Sequence, residues 1–284
     1  MSELNPELRL FGQTIRVFTD ELKDLEKILF SFDKVNVECQ NGEYFFQNLA
    51  YNGSSINAKL VPNVIKDNNN IVSNNVSGWQ AYQQESGKVV MNLKIFYQVV
   101  RHLMHSDQTK EVVACRDKLR DIFNQYVIHT GMKIEYKVPT ENSAEATLSY
   151  RDIDGQLRTE TLQVPEFTKQ TSADSCAYIL LAKKQSSSKH GTVEQIPENA
   201  KPLLQALFGE GYEEAGAVFQ YLSKPCSDGE LREVRVWAPA LNTRSTERAV
   251  VLYINDSDWF YIDACGYINL SWPALWVVVG APKN

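Results

Sequence analysis

One cysteine has a histidine close enough along the chain to suggest a nucleophile and its base. Cys176 ends the segment Ser172-Ala-Asp-Ser-Cys, and His190 follows fourteen residues later. A cysteine nucleophile needs a base within hydrogen-bond distance of its thiol, and sequence separation alone does not place His190 there. No local pattern of the known cysteine hydrolases surrounds Cys176. We therefore favour an ordinary buried thiol and keep a cysteine-dependent enzyme as one alternative.

Three aspartates form a second candidate site. Asp256, Asp258 and Asp263 lie around a turn between aromatic segments. Two carboxylates beside aromatic rings are typical of glycosidase sites. The run from Asn255 to Asp258 is also typical of a hairpin loop, because short polar side chains bond to the loop backbone. The loop is the favoured interpretation. A small-molecule or sugar-binding protein or hydrolase, with these carboxylates near the C-terminal aromatics, is a second alternative.

Two further patterns resemble metal sites and fall short of them. His102 and His105 can share a helical face, but two histidines without a third ligand do not make a zinc site. Asp152-Ile-Asp-Gly155 resembles the start of a calcium loop. Leu157 and Gln163 stand where that loop needs a glycine and a bidentate glutamate. We expect helix-end histidines, a hairpin turn at residues 152–155 and no metal.

A glycine-rich segment opens a predicted helix, as phosphate-binding loops do. It reads Gly209-Glu-Gly-Tyr-Glu-Glu-Ala-Gly216. The third glycine of the dinucleotide-binding pattern would fall at Glu214, and further carboxylates there would repel a phosphate. The segment is interpreted as a turn between two helices, and no cofactor is predicted.

The strongest compositional bias lies in the aromatic residues near the end of the chain. Four of the five tryptophans, Trp237, Trp259, Trp272 and Trp276, fall between residues 233 and 280. Short runs of β-branched and aromatic residues separated by turn formers are typical of strands. We expect these strands to form a meander that makes the central sheet.

One of these strands is apolar on both faces. Trp259 and Tyr261 share one face of the extended chain, and Phe260 and Ile262 share the other. The strand is therefore either buried on both sides or covered on one side by a partner. A core position is the simpler explanation for large rings. If helices cover only one face, the other face is where a partner binds.

An arginine accompanies these rings. Arg235 and Trp237 share a face in the preceding strand, and arginine and tryptophan are enriched at the energetic centres of protein interfaces. The predicted partner-binding residues are accordingly Arg235, Trp237, Trp259 and Tyr261. The partner is a protein or a second copy of the chain.

The chain divides into three predicted parts. Residues 1–66 are interpreted as a small β-α-β-β-β lobe, with a hairpin turn at Asn41-Gly42. Residues 67–78, rich in asparagine and serine, are an exposed loop or linker. Residues 79–284 form the main α+β domain, and a single domain is the open alternative.

Helices are predicted in the main domain from apolar residues spaced three and four apart. One covers residues 91–104, and the next has Ser106 or Asp107 as its cap and ends at Gly131. A third starts with Pro202 in its first turn. These elements predict an α+β fold, with helices packed on a mainly antiparallel, twisted sheet and a small N-terminal αβ lobe.

Bulk composition excludes several functions. The formal net charge of −6 argues against nucleic-acid binding, which needs a basic surface. No apolar run approaches the ~20 residues of a membrane-spanning helix, and no secretion signal is recognised. The five cysteines are widely spaced, a pattern that is typical of reduced thiols. We expect a cytoplasmic, non-catalytic interaction or scaffold protein that binds through its aromatic C-terminal sheet.

Overall fold

The computed structural model describes residues 8–10, 13–15, 37–140, 143–164, 176–186, 196, 198–223, 225, 229–239, 246–254 and 259–280. Within these residues the protein has the predicted α+β fold, with helices and mostly antiparallel sheets. The helix of the predicted β-α-β-β-β lobe lies outside them. The α-helices are α1 (Val76–Ser86), α2 (Leu93–His105), α3 (Lys110–Phe123), α4 (Lys201–Phe208) and α5 (Ala215–Leu222). No helix in the described ranges has the length and apolar character needed to cross a membrane.

Strands account for most of the remaining regular structure. In chain order they are β1 (Leu8–Leu10), β2 (Gln13–Ile15), β3 (Val37–Gln40), β4 (Glu43–Tyr51), β5 (Ser54–Leu60), β6 (Lys66–Asp67), β7 (Asn70–Ile71), β8 (Val89–Val90), β9 (Ile128–Thr140), β10 (Ser143–Arg151), β11 (Leu157–Val164), β12 (Cys176–Ala182), β13 (Gln185–Ser186), β14 (Glu230–Leu231), β15 (Glu233–Pro239), β16 (Thr246–Ile254), β17 (Trp259–Tyr267) and β18 (Trp276–Gly280).

Seven strands form the larger sheet, in the order β11-β10-β9-β16-β17-β15-β12. Neighbouring strands are antiparallel except β15 and β17, which run parallel. The predicted turn at residues 152–155 joins β10 to β11, and Gly155 there has a φ of +78°, which favours glycine.

The meander predicted for residues 233–280 is wrong in its pairing. Strand β15 pairs with β17 rather than with β16, and β18 belongs to another sheet. A run of β-forming residues predicts a strand but does not specify its neighbour.

A second sheet has the order β3-β4-β5-β18-β8. Its first hairpin turns at Asn41-Gly42, as predicted, with φ angles of 53° and 80°. A second hairpin turns at Asn52 and Gly53, with φ angles of 49° and 72°. Positive φ at both central residues defines the hairpin turn that asparagine followed by glycine favours.

The segment predicted as a loop or linker contains regular pieces. Strands β6 and β7 pair across Asn68 and Asn69, both at positive φ. Asn75 caps α1, and its side chain accepts a hydrogen bond from the Gly78 backbone N–H at 2.9 Å. Strand β5 pairs with β18, so strands from before and after residues 67–78 share one sheet. The division into a lobe at 1–66 and a domain at 79–284 stays a prediction, because it concerns which part folds independently.

Helices α2 and α3 start at side-chain caps. Asn92 and Thr109 each accept a hydrogen bond from the backbone N–H three residues further along, which satisfies a donor that the helix leaves free. The prediction of Ser106 or Asp107 as the cap of α3 is therefore wrong. Ser106 instead follows the last residue of α2.

The predicted helix end at Gly131 is also wrong. Helix α3 ends at Phe123, and Gly131 lies in β9 with a φ of +66°. The apolar residues Tyr126 and Val127 prolong the helical spacing past the true end, because the strand that follows is apolar too. Pro202, in contrast, lies in the first turn of α4 as predicted.

The helices connect the two sheets through one hydrophobic core. Helix α2 packs against β4, and its Phe96 ring lies 5.2 Å from Phe123 and 6.4 Å from Phe219. Phe260 of β17 contacts the same two rings at 5.7 and 5.1 Å. Phe260 and Ile262 are fully buried. This face of the larger sheet is therefore the one that α3 and α5 cover.

Candidate partner-binding site

Strand register brings the four predicted binding residues onto the opposite face of the larger sheet. Arg235 lies beside Tyr261 in the parallel pair of β15 and β17. Trp237 and Trp259 are each two residues from one of them along the same strand, and so share their face. Phe260 alternates with these residues and points to the helices. The sequence therefore assigned the two faces of β17 correctly.

Two tyrosines complete the cluster. Tyr178 of β12 pairs with Trp237, and Tyr253 of β16 pairs with Tyr261. The ring centroids are 5.1 Å apart for Tyr178 and Trp237, 5.7 Å for Trp237 and Tyr261, and 4.7 Å for Tyr253 and Tyr261. These separations fall in the range of favourable aromatic pairs. We call the cluster the aromatic row, and its members are Tyr178, Arg235, Trp237, Tyr253, Trp259 and Tyr261.

Arg235 stacks between two rings of the row. Its guanidinium carbon lies 3.7 Å from the centre of the Trp259 ring and 4.2 Å from that of Tyr178. Its Nε donates a hydrogen bond to the Glu233 carboxylate, so the charge is balanced. Only 11% of the Arg235 side chain is exposed. A planar guanidinium held over indole is stabilised by the ring's negative face, which fixes Arg235 and Trp259 in one orientation.

The row is partly exposed along its length. Tyr261, at its centre, is buried, whereas Tyr178, Trp237, Tyr253 and Trp259 are half-buried. At the β16 end, Tyr253 packs against a small cluster that includes Val76 of α1 and Val251. Helix α1 thus covers that end of the face.

One polar atom in the row is unsatisfied. The indole Nε1 of Trp237 is buried and has no hydrogen-bond partner in the part of the chain that the structure describes. A buried donor without an acceptor costs about 1–3 kcal/mol.

The sequence did not identify Tyr178 and Tyr253. Both lie inside apolar strand segments. Alternation there shows which residues share a face, but not which strand lies alongside. Their place in the row depends on β12 pairing with β15 and β16 with β17. Strands β12 and β16 each contain a single aromatic residue, Tyr178 and Tyr253 respectively, so composition offered no signal for them.

The alternative sites are only partly described. Asp256, Asp258 and His190 lie outside the described residues, and for Cys176 only the backbone, in β12, is described. Asp263 lies on β17 on the same face as Tyr261, opposite Trp237. Burial, followed by the negative charge of Asp263, raises the pKa of Tyr253. The carboxylate and cysteine hypotheses stay predictions.

The three described histidines are either buried and neutral or bonded to a carboxylate. Burial lowers the pKa of His102 to about 3 and that of His129 to about 4, so both are neutral at physiological pH. His105 Nε2 lies 2.6 Å from the Glu214 carboxylate, which also pairs with Arg101. Among the residues whose positions are described, no group of three or more histidine, cysteine, aspartate or glutamate side chains could hold a metal ion.

No protein-family model matches this chain, and no curated protein or solved structure matches it.

Proposed function

We propose that this protein is a cytosolic interaction or scaffold protein without catalytic activity, and that its aromatic row binds a protein partner or a second copy of the chain. One observation carries the proposal. Arg235, Trp237, Trp259 and Tyr261 lie together on one face of β15 and β17, while the core is built on the other face through Phe260.

The composition of the row suits binding. Tryptophan, tyrosine and arginine dominate the energetic centres of protein interfaces. Rings and a guanidinium that already contact one another lose little conformational freedom when a partner arrives. The core on the opposite face is closed by Phe260, Ile262 and the helices, so these half-buried rings exceed what the core requires.

The free thiols support the cytosolic part of the proposal. Cys39 is exposed and Cys115 is buried, and neither forms a disulfide. Reduced cysteines are typical of proteins in the reducing cytosol. Fractionation of cells expressing the tagged chain tests this, and recovery from the secreted fraction would contradict it.

Partner binding is tested with paired variants. Arg235→Ala and Trp259→Ala remove the stacked pair, whereas Leu157→Ala removes a 54% exposed apolar side chain on the opposite edge strand β11. We expect a partner, identified by affinity capture and mass spectrometry, to bind the wild type and Leu157→Ala and to be lost from the other two. Circular dichroism confirms that each variant is folded.

Self-association is measured in the same set of proteins by sedimentation velocity. A dimer that persists in Leu157→Ala and dissociates in Trp259→Ala identifies a second copy as the occupant. The proposal would be overturned if the wild-type chain is monomeric and captures no partner whose binding is lost in Arg235→Ala and Trp259→Ala.

The two enzymatic alternatives have their own tests. Fast alkylation of Cys176 by iodoacetamide in the folded protein would favour a reactive thiolate. Hydrolysis of a panel of nitrophenyl glycosides, lost in Asp256→Asn or Asp258→Asn, would favour the carboxylate site. Failure of both assays removes these alternatives and leaves the interaction proposal unchanged.

A further inference from the structure

A cleft of about 480 Å³ is lined by residues that do not belong to the aromatic row. Four separate pieces of chain meet there: the β4–β5 hairpin turn, the start of α2, the middle of β11, and helix α4 with the turn that follows it. Its size falls within the range of clefts that bind small molecules. Its polar lining comes from Asn52, Lys94, Glu160, Thr161, Gln205 and Glu210.

Lys94 is the most unusual residue of this cleft. It lies in the first turn of α2 and is only 5% exposed. Its Nζ donates hydrogen bonds to Tyr150 Oη at 3.1 Å and to Glu160 Oε1 at 2.5 Å. The Tyr150 hydroxyl in turn donates to Glu160 Oε1 at 2.7 Å. Burial of a charge is costly unless it is paired, and Glu160 supplies that pair.

The ammonium group retains one donor for a ligand. It has three N–H groups, and in the described residues only Tyr150 and Glu160 accept from it. Because Lys94 lines the cleft, the remaining N–H is available to a hydroxyl or carbonyl oxygen there. Glu160 also lines the cleft and its side chain is 37% exposed. Among the described residues its second oxygen accepts no hydrogen bond.

Glu210 leaves the cleft with an excess negative charge. Lys94 balances Glu160, whereas Glu210 Oε1 accepts only a backbone hydrogen bond from Gly53 at 3.1 Å. The nearby cations pair elsewhere: Arg101 with Glu214, and Lys201 with Glu198. Within the described residues, the exposed Glu210 carboxylate therefore has no cationic partner and can attract a ligand cation.

We propose that this cleft binds a small hydroxylated amine, whose ammonium group lies at Glu210 and whose hydroxyls contact Lys94 and Glu160. The negative charge of Glu210 favours a ligand with a single positive charge. The alternation of an N–H donor and carboxylate acceptors matches hydroxyl groups, which both donate and accept. Leu162, Pro202 and Ala206 provide an apolar wall for the carbon chain. The site is independent of the proposed function, because it shares no residue with the aromatic row.

The test compares two ligands of equal length by isothermal titration calorimetry with the full chain. Glucamine carries a primary amine, which is protonated near pH 7 as lysine is, and sorbitol carries a hydroxyl in its place. We expect glucamine to bind at least tenfold more tightly than sorbitol. Equal affinity would overturn the charge selection, and no binding of either ligand would overturn the site.

Two matched variants locate the bound amine. Glu210→Gln keeps the acceptor for Gly53 and removes the charge, and it should weaken glucamine binding about tenfold, which corresponds to ~1.4 kcal/mol. Glu213→Gln removes an exposed charge that does not line the cleft, and it should leave the affinity unchanged. Equal effects of the two variants would show a general charge attraction and would overturn the assignment to Glu210. Both variants are checked for folding by circular dichroism.

Discussion

Tyr253 and Tyr261 stack face to face, with ring centroids 4.7 Å apart and ring planes 8° from parallel. They are directly paired residues of β16 and β17, and cross-strand aromatic pairs of this kind stabilise a sheet. Tyr261 also contacts Trp237 and Trp259. The aromatic row is therefore a connected structure across several strands, and its members support one another's orientation.

The stacking of Arg235 on Trp259 predicts a measurable coupling energy. Replacing Trp259 with alanine and Arg235 with lysine, singly and together, forms a double-mutant cycle. Lysine keeps the charge but loses the flat guanidinium that lies 3.7 Å from the ring. We expect the unfolding free energies, measured in urea, to give a coupling of about 0.5–2 kcal/mol. Strictly additive losses would show that the stacked geometry contributes nothing to stability.

Two buried histidines predict a pH dependence of stability. Burial lowers the pKa of His102 to about 3 and that of His129 to about 4, whereas both are near 6.5 in the unfolded chain. Between these values the unfolded state binds protons that the folded state does not. The unfolding free energy is therefore complete above pH ~6.5 and falls as the pH decreases. We expect a loss of about 2–3 kcal/mol between pH 6.5 and 5 in urea titrations.

A single variant assigns part of that loss. His129 Nδ1 accepts a hydrogen bond from the Gly131 backbone N–H at 2.9 Å, and asparagine can supply an oxygen near the same position. His129→Asn should therefore fold and show about half of the wild-type loss over the same pH range. An equally steep curve in the variant would show that His129 does not contribute.

The sequence predicted local structure well where a single short pattern decides it. Asn41-Gly42 turns a hairpin, Pro202 starts α4, and the alternation around Tyr261 assigns its faces correctly. It failed where the outcome depends on distant residues. The pairing of β15 with β17 and the place of Tyr253 in the row follow from long-range contacts that no local pattern specifies.

The cleft, too, depends on contacts between residues that are distant in the sequence. Lys94 looks like an ordinary polar residue of an amphipathic helix, but α2 is buried along almost its whole length. Its partners Tyr150 and Glu160 are 56 and 66 residues away along the chain. Only the folded structure shows that this lysine is paired inside the protein.

The ion pair of Lys94 and Glu160 predicts that losing the charge of Glu160 alone destabilises the protein more than losing both charges. Glu160→Gln leaves a buried ammonium without its counter-ion, and because Glu160 is partly exposed we expect a loss of ~2 kcal/mol rather than the full cost of a buried pair. Adding Lys94→Met removes the unpaired charge, so the double variant should be more stable than Glu160→Gln alone. Thermal unfolding of the three proteins at one pH measures this. A double variant that is less stable than the single one would show that the charge of Lys94 is not the cause.

Gly216 predicts where the fold does not tolerate a single added methyl group. It is the second residue of α5, and a Cβ there would lie 2.8 Å from the Leu181 carbonyl carbon and closer still to its oxygen. Helix α5 therefore approaches the backbone of β12 more closely than a side chain allows. Alanine normally stabilises a helix relative to glycine by about 1 kcal/mol, but here steric overlap should dominate, with a net loss of about 2 kcal/mol in urea unfolding. Gly280→Ala is the control, because a Cβ at Gly280 meets no atom within 4 Å, and it should change stability by no more than ~0.5 kcal/mol. A Gly216→Ala variant as stable as the wild type would mean that α5 can move away from β12 without cost.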